Sequence, residues 1–197
     1  MTLGNKVALF ADVHGAYQLL TRALERCRVE GVSTIALLGD LIDRMEQADA
    51  CAAALCGWEV IGVYGNHERE IALAADDLRG ELRAETLELL SSLREHVEID
   101  DVLLTHEVEH WGHHGLMDRM FGHAEANGHD SRARITFSGH THYRHARDEH
   151  GPIDITRGRL TIRDSRRYLI NPGALATGQF AIWDRESQVI QFDQVGD

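Results

Sequence analysis

Seven side chains of the types that bind hard metal ions follow five short apolar runs of this chain. The runs are KVALFAD, TIALLGD, EVIGVYGN, VLLTH and ITFSGH, and they lead into Asp12 with His14, Asp40, Asn66, His106, and His140 with His142. The carboxyl ends of parallel strands meet at one edge of a sheet, where open α/β folds bind their ligands. The five endings therefore predict parallel strands whose carboxyl ends surround one polar site.

Two of these endings supply a pair of candidate ligands each. Asp12 and His14 are two residues apart, as are His140 and His142, and residues i and i+2 of an extended segment face the same side. The set contains carboxylate, amide and imidazole groups but no thiolate, which suits Mn, Fe, Zn, Ni or Mg better than a structural zinc site. Seven ligands exceed the needs of one tetrahedral ion and match two ions about 4 Å apart that share a carboxylate.

Each of these residues also has an ordinary interpretation when it is taken alone. A lone aspartate at a strand end is usually a helix cap or turn residue, and a lone histidine such as His106 is usually polar surface. The order of the whole set favours a metal site, together with glycines that ease close turns at Gly15, Gly39, Gly65 and Gly139.

The elements that must position these residues follow from hydrophobic periodicity. Strands are predicted at 6–11, 34–38 and 59–64, and amphipathic helices between them at 16–29 and 46–56. This βαβαβ order predicts a parallel sheet with right-handed crossovers. A long helical stretch is then predicted from Glu68 to Glu95, with a break near Asp76–Gly80. Asp100-Asp101 predicts a tight hairpin turn between strands at Val97–Ile99 and Val102–Thr105.

Beyond His142 the pattern changes to short strand-like segments separated by glycine or polar turns. They lie at 153–156, 159–163, 168–170, 179–184 and 188–193. This pattern predicts a second, antiparallel sheet that closes a sandwich against the first. The 197 residues, 43% of them hydrophobic, are enough for one well-buried core, so we expect a single domain over 1–197.

Composition limits the classes of partner and the compartment. A formal net charge of -12 argues against nucleic-acid binding by a basic surface, so a phosphate-bearing substrate needs local positive charge, which metal ions supply. The opening MTLGNK runs directly into the first strand without a signal peptide, and no apolar run is long enough for a membrane span. Cys27, Cys51 and Cys56 form no CxxC motif, which fits a reducing cytoplasm, and Cys27 falls on an apolar helical stripe as a small packing residue.

The ordered motifs resemble those of the calcineurin-like metallophosphoesterases. They are Asp12-x-His14-Gly15, Gly39-Asp40-x-x-Asp43-Arg44, Gly65-Asn66-His67-Glu68, His106 and Gly139-His140-Thr141-His142. Asn171-Pro172-Gly173 resembles a later turn of the family, seen especially in its small bacterial and archaeal phosphodiesterases. The resemblance covers residues 6–183 and implies an α/β fold, a two-layer β-sandwich of mixed sheets flanked by helices, with a dinuclear metal centre.

The resemblance also implies a division of the ligands between two ions, Mn being the first choice. One ion would take Asp12, His14, Asp40 and His142, and the other would take Asp40, Asn66, His106 and His140, so that Asp40 bridges them. The implied nucleophile is a bridging hydroxide, because metal ions lower the pKa of bound water. Two divalent ions, balanced against two carboxylates and one hydroxide, leave a single positive charge that attracts an anionic phosphate to an acidic protein.

Three further residues have roles implied by the same resemblance. His67 resembles a general acid near the leaving-group oxygen, with Asp43 as the partner that orients its ring. Arg44 would place its guanidinium on the substrate phosphate. In the alternative interpretation Asp43 and Arg44 form a structural ion pair and His67 braces Asn66.

The motifs favour a phosphodiesterase but leave other substrate classes open. Asp43-Arg44 and Glu68 resemble serine/threonine protein phosphatases and diadenosine tetraphosphatases, although Met45 stands where those proteins usually have glycine. His142 is typical of the phosphodiesterase-like branch. A phosphomonoesterase acting on phosphoproteins or nucleotides, and a dinucleoside polyphosphate hydrolase, are the enzyme alternatives. A binding scaffold of the same fold is the third hypothesis, and the presence of every expected ligand argues against it.

Residues 107–133 are the least family-like part of the chain. Glu107 follows His106 where family members often have glycine, and six histidines fall within 24 positions from His106 to His129. Apolar residues spaced for one helix face favour a small cap beside the metals. The histidines fit either a third metal site or a solvated rim, and the rim is the simpler interpretation.

Overall fold

The computed structural model describes residues 2–69, 71, 80–107 and 133–196. Its helices are α1 (Tyr17–Glu30), α2 (Met45–Leu55) and α3 (Ala84–Ser92), with a 3-10 helix at Leu175–Thr177. Its strands are β1 (Lys6–Phe10), β2 (Thr34–Leu38), β3 (Glu59–Val63), β4 (His96–Ile99), β5 (Val102–Thr105), β6 (Ile135–Phe137), β7 (His145–Asp148), β8 (Gly151–Pro152), β9 (Arg159–Thr161), β10 (Tyr168–Asn171), β11 (Gln179–Asp184) and β12 (Val189–Gln194).

The strands form two six-stranded mixed sheets. The first has the order β3-β2-β1-β11-β12-β9, and the second has the order β4-β5-β6-β10-β7-β8. Strands β1, β2 and β3 pair in parallel, as do β5, β6 and β10 in the second sheet. The two-layer sandwich of mixed sheets flanked by helices that the resemblance implied is therefore confirmed.

Alternation along β1 divides the core into two layers. Val7 and Leu9 belong to a buried cluster shared by the two sheets, whereas Ala8 and Phe10 belong to a second cluster shared with the helices. Successive residues of a strand point to opposite faces, so a strand buried on both sides reads as a continuous apolar run. This explains why the runs that lead into the candidate ligands contain so few polar residues.

Helix α1 packs against the first sheet along one apolar stripe. Its buried residues are Leu20, Ala23, Leu24 and Cys27, at the spacing of a single helix face. The helix ends at Gly31, whose φ of 71° is left-handed and whose N–H donates to the carbonyl of Arg28. The packing role predicted for Cys27 is confirmed.

The predicted second sheet of C-terminal strands is wrong. Strands β11, β12 and β9 extend the first sheet next to β1. Of the predicted C-terminal strands only β10 joins the second sheet, between β6 and β7, and there it is accompanied by β7 and β8, which the pattern did not predict. The strand predicted at 153–156 is absent, since pairing there is confined to β8. Alternating apolar residues show that a strand has a buried face, but they do not show which sheet it joins. The four central residues of β11 are all buried, which requires a central position.

The long helix predicted from Glu68 to Glu95 is also wrong in its last part. Helix α3 ends at Ser92, because Arg94 forms a bridge with β3: its N–H donates to Gly62 O, and its carbonyl accepts from Tyr64 N–H. Gly80 lies in a turn with φ 99°, in agreement with the predicted break, but residues 70 and 72–79 lie outside the described residues. The hairpin at Asp100-Asp101 is confirmed by the pairing of Ile99 with Val102.

Among the helices that the structure describes, none has the length and apolarity needed to cross a membrane.

The three cysteines are free thiols with different surroundings. Cys27 and Cys51 are buried and Cys56 is exposed. Burial raises the pKa of both the Cys27 and the Cys51 thiol to about 12. Because the thiolate is the reactive form, the two buried thiols are protected both by their pKa and by packing.

We expect a disulfide-exchange reagent at pH 8 to label one thiol of the native protein and three of the unfolded protein. Cys56→Ser should remove the rapid native labelling and leave two thiols that react only after denaturation. Rapid labelling of the native Cys56→Ser protein would contradict the burial of Cys27 and Cys51.

Candidate metal centre

The seven predicted ligands converge on one cleft between the carboxyl ends of the strands. Strands β1, β2 and β3 supply ligands from the first sheet, and β5 and β6 supply them from the second. The cleft has a volume of about 410 Å³ and is lined by His14, Asp40, Asp43, Asn66, His67, His140, His142 and Ala176. The site therefore lies at a joint edge of two sheets rather than at the edge of one.

Most of the predicted ligands have an unusual backbone conformation. Seven non-glycine residues of the described ranges have positive φ, and five of them are predicted ligands: Asp12 (53°), His14 (48°), Asp40 (53°), His140 (68°) and His142 (58°). Such angles are uncommon for residues with a Cβ and persist where the surrounding structure enforces them. The extended conformation expected for the two ligand pairs is therefore wrong, because the chain turns sharply as soon as each strand ends.

Backbone hydrogen bonds between the loops hold these turns in place. The N–H of Asp12 donates to Gly39 O at 3.1 Å, and the N–H of His14 donates to Asp40 O at 2.9 Å. In the second sheet, Gly139 N–H donates to His106 O at 3.1 Å. The loops that carry the predicted ligands thus supply hydrogen-bond partners for one another's backbone N–H and C=O groups.

The Asn171-Pro172-Gly173 turn braces the loop that carries His140 and His142. Asn171 is fully buried, and its Nδ2 donates to Gly139 O at 2.7 Å and to Thr141 Oγ1 at 3.2 Å. Its Oδ1 accepts from Gly173 N–H at 2.8 Å. The turn thus has a structural function next to the ligands.

Two glycines allow the loops to approach each other closely. A Cβ at Gly65 would lie 2.0 Å from Asp40 Oδ1, and a Cβ at Gly39 would lie 2.4 Å from His106 Nδ1. Real Cβ atoms do not tolerate such distances, and Gly39 also has a φ of 88°. Any larger residue at either position would displace a predicted ligand.

The first group of ligands comprises Asp12, His14, Asp40 and His142. One ligand atom from each lies within 4.8 Å of the others. His14 Nε2 is 2.9 Å from His142 Nε2 and 3.8 Å from Asp40 Oδ2. Ligand atoms about 2.1 Å from a shared ion are separated by about 3 Å when they meet at right angles, so this spacing fits one ion.

The second group comprises Asp40, His106 and His140, joined by Asn66. Asp40 Oδ2 is 3.2 Å from His106 Nε2. Asn66 Oδ1 is 3.0 Å from His106 Nε2 and 3.1 Å from His140 Nδ1. Asp40 is common to both groups, as the resemblance implied, and His140 and His142 belong to different groups although they are two residues apart.

In His106 and His14 the Nδ1 atom faces a hydrogen-bond acceptor, so Nε2 is the ring nitrogen left to bind a metal ion. His106 Nδ1 lies 2.8 Å from the carbonyl of Leu38, an acceptor that requires the proton to sit on Nδ1. His14 Nδ1 contacts Asp43 Oδ1 in the same way. A metal-binding histidine usually has such an acceptor behind it, since it fixes the tautomer and the ring orientation.

Asp43 also contacts His67, so one carboxylate serves two histidines. His67 Nδ1 is 3.1 Å from Asp43 Oδ1, and His67 N–H donates to Asp40 Oδ1 at 3.1 Å. The structure thus places Asp43 behind His67, where an orienting partner would be. Arg44 is exposed at the N-terminus of α2 and is not among the described residues that line the cleft, and its contact with phosphate stays a prediction.

Burial of the two carboxylates makes the site a strong attractor of cations. Asp12 is fully buried, and its Oδ2 has no hydrogen-bond partner among the described residues. Desolvation raises the pKa of Asp12. Burial also opposes ionisation of Asp40, but its hydrogen bonds and charge interactions with His106 and His67 outweigh this effect and lower its pKa to about 2. An unpartnered buried carboxylate oxygen is costly unless a cation neutralises it, so the residues present fit hard divalent ions.

Glu68 lies directly behind the ligands and is also fully buried. Its Oε1 accepts from Leu41 N–H at 2.7 Å, which holds the chain immediately after Asp40. Desolvation raises the pKa of Glu68 to about 7. Through its contact with Leu41, Glu68 positions the backbone that carries Asp40.

The sequence interpretation overlooked Gln47. Its Oε1 accepts from the N–H groups of Asp43 and Arg44, at 3.1 and 3.0 Å, so it fixes the loop that carries Asp43. A glutamine at the third position of a helix is a known capping residue, and this spacing was the available signal. Glu107, which the sequence analysis noted only as a departure from the family, also lies near a predicted ligand, with Oε1 3.8 Å from His140 Nδ1.

The predicted cap over 107–133 falls mainly on residues 108–132, which lie outside the described residues. The cap, the third metal site and the solvated rim stay predictions.

Comparisons with known proteins identify the family and the fold. The model of the calcineurin-like phosphoesterase superfamily domain matches residues 6–187. A metallophosphoesterase from Sphaerobacter thermophilus has a similar fold, with a TM-score of 0.66 and 22% identity over 100% of this chain and 89% of that one. The structure of an archaeal phosphodiesterase gives a TM-score of 0.61 with 18% identity, covering 96% of this chain and 99% of that one. An uncharacterized protein of Methanocaldococcus jannaschii is 21% identical over 192 residues, which cover 86% of this chain and 75% of that protein.

The family model covers more than nine tenths of the chain and contains every cluster described above. The chain therefore belongs to the calcineurin-like phosphoesterase superfamily.

Proposed function

We propose that the protein is a phosphoesterase that works with two divalent metal ions, Mn being the first choice, and that it favours phosphodiesters. The observation that carries the proposal is the position of Asp40, whose carboxylate is shared by two groups of ligand atoms in one cleft. A shared carboxylate between two such groups is typical of two-metal hydrolytic sites.

The bound ions would supply a hydroxide nucleophile near neutral pH and positive charge for the phosphate oxygens. The chain itself holds the ligands at fixed distances through the interlocked loops, and it keeps Asp40 ionised. The buried side chains around Asp12 and Asp40 exclude bulk water from one side of the cleft, which strengthens electrostatic attraction inside it.

His67 is the residue that we assign to protonation of the leaving group. It is 41% exposed at the wall of the cleft, and its Nδ1 is occupied by Asp43. The contact leaves Nε2 to carry a proton toward the oxygen that departs. The backbone N–H of His67 anchors this arrangement to Asp40.

The charge of the cleft favours diesters over monoesters. None of the described residues that line it is lysine or arginine. A phosphodiester has one negative charge, whereas a phosphomonoester has close to two at neutral pH. The single positive charge expected for the loaded centre matches the diester, and Arg44, part of the motif that resembles phosphatases, is not among the described residues that line the cleft.

We expect the protein saturated with Mn and then freed of excess metal to retain two ions per chain by elemental analysis. His142→Ala should lower the content by about one ion, because it removes a ligand of the first group only. His150→Ala is the matched control, since His150 is 69% exposed and belongs to neither ligand group. Less than one ion per chain in the wild type would favour the scaffold hypothesis.

Mn-loaded protein should hydrolyse bis(4-nitrophenyl) phosphate with a higher kcat/KM than 4-nitrophenyl phosphate. Asp40→Asn should lower kcat by about a thousandfold or more, because the change removes charge from the shared ligand. Asp164→Asn, at a side chain that is 92% exposed, is the control that should retain activity. Circular dichroism would verify folding, and wild-type turnover by folded Asp40→Asn would contradict the proposal. A preference for the monoester would instead favour the phosphatase alternative.

Replacement of His67 should affect substrates according to the quality of their leaving group. His67→Ala should reduce the hydrolysis of an alkyl phosphodiester by about a hundredfold, because the alkoxide needs a proton as it departs. The same variant should lose much less activity with 4-nitrophenyl esters, whose leaving group is stable as an anion. Equal losses for both substrates at unchanged metal content would show that His67 acts by position rather than as an acid.

A further inference from the structure

A second cavity, of about 480 Å³, adjoins the metal cleft and is not used by the mechanism above. The two cavities share Asn66 and His67 in their linings, so they meet at the residue assigned to the leaving group. The volume lies within the range of pockets that hold small organic molecules.

One side of this cavity is apolar and aromatic. Tyr64 and Ile71 line it, and both are half-buried against the core cluster on the helix side of the first sheet. Tyr64 comes directly after β3 and is held by the hydrogen bond from its N–H to Arg94 O at 2.9 Å. An aromatic ring beside an aliphatic side chain is a suitable surface for a planar group.

The charged residues of the cavity offer no unbalanced cation to a second phosphate. Arg69 Nη2 is 3.9 Å from Glu95 Oε1, so its charge is balanced by a neighbour. Among the described lining residues there is no other lysine or arginine. Carboxylates such as that of Glu95 accept hydrogen bonds from hydroxyl and amino groups. The lining therefore suits an uncharged group with several donors.

We propose that this cavity binds the organic part of the leaving group and selects an uncharged, planar group of nucleoside size. The inference rests on the proposed function, because the position of His67 between the cavities identifies the departing side only if His67 protonates the leaving oxygen. The phosphorus would lie over the metal cleft, and the ester oxygen that departs would lie beside His67. The nucleoside would then stack on Tyr64, with its hydroxyls toward Glu95.

The first test is the binding of adenosine to the Mn-loaded protein by calorimetry. Tyr64→Ala and Ile71→Trp should each weaken binding by about tenfold, the first by removing the stacking surface and the second by filling the cavity. Tyr143→Ala is the matched control, because Tyr143 is a 74% exposed aromatic residue next to His142 that does not line this cavity. Absence of adenosine binding at millimolar concentration, or binding that neither cavity variant weakens, would overturn the inference.

The second test compares two substrates that differ in the charge of the leaving group. A dinucleoside monophosphate releases an uncharged nucleoside, whereas a dinucleoside polyphosphate releases a charged nucleotide. We expect kcat/KM to be at least about tenfold higher for the monophosphate, and Ile71→Trp to remove this preference. The reverse preference in the wild type would overturn the inference.

Hydrolysis of bis(4-nitrophenyl) phosphate in parallel separates the two proposals. If the wild type hydrolyses this ester but does not bind adenosine, the proposed function stands and the leaving-group cavity is wrong. If adenosine binds but no ester is hydrolysed, the proposed function fails, and the assignment of the cavity to a leaving group fails with it.

Discussion

The buried carboxylate of Asp40 is the group on which the rest of the site depends. It lies 3.2 Å from His106 Nε2 and 3.8 Å from His14 Nε2, and it accepts the backbone N–H of His67. A buried charge is tolerated only when its surroundings are arranged to compensate it. Imidazoles and a backbone N–H surround Asp40, and Gly65 supplies the space in which these groups approach it. Both ligand groups, and the general acid we propose, are therefore positioned relative to one carboxylate.

This arrangement is stable because the loops that carry the ligands support one another. Several ligand residues are held in left-handed conformations, which no single loop would adopt by local preference. The hydrogen bonds of Asp12 and His14 to the loop after β2, and of Asn171 to Gly139, offset this cost. The β10 strand places Asn171 beside the loop after β6, so the unexpected division of the C-terminal strands between two sheets serves the site directly.

Electrostatics connect the metal cleft with its neighbouring cavity. The protein is acidic overall, with a formal net charge of -12, and the cleft offers neither lysine nor arginine among its described lining residues. In the proposed function, attraction of a phosphate would therefore be a local property of the cations held by the predicted ligands. In the adjoining cavity the charge of Arg69 is balanced by Glu95, so the described lining offers no free cation to a longer phosphate chain. We therefore propose for the two cavities together a substrate with one phosphodiester group followed by an uncharged organic group.

The sequence by itself identified the seven residues that the structure brings together, because apolar runs that end in such residues identify strand ends, and their order matches one family. It also determined the βαβαβ half and the hairpin, which depend on local periodicity and turn chemistry. The tertiary structure alone decided which sheet each C-terminal strand joins, that Asp43 serves both His14 and His67, and that Gln47 and Asn171 brace the loops. These features depend on contacts between residues distant in the chain. Hydrophobic periodicity indicates that a side chain is buried, but it does not indicate which element that side chain packs against.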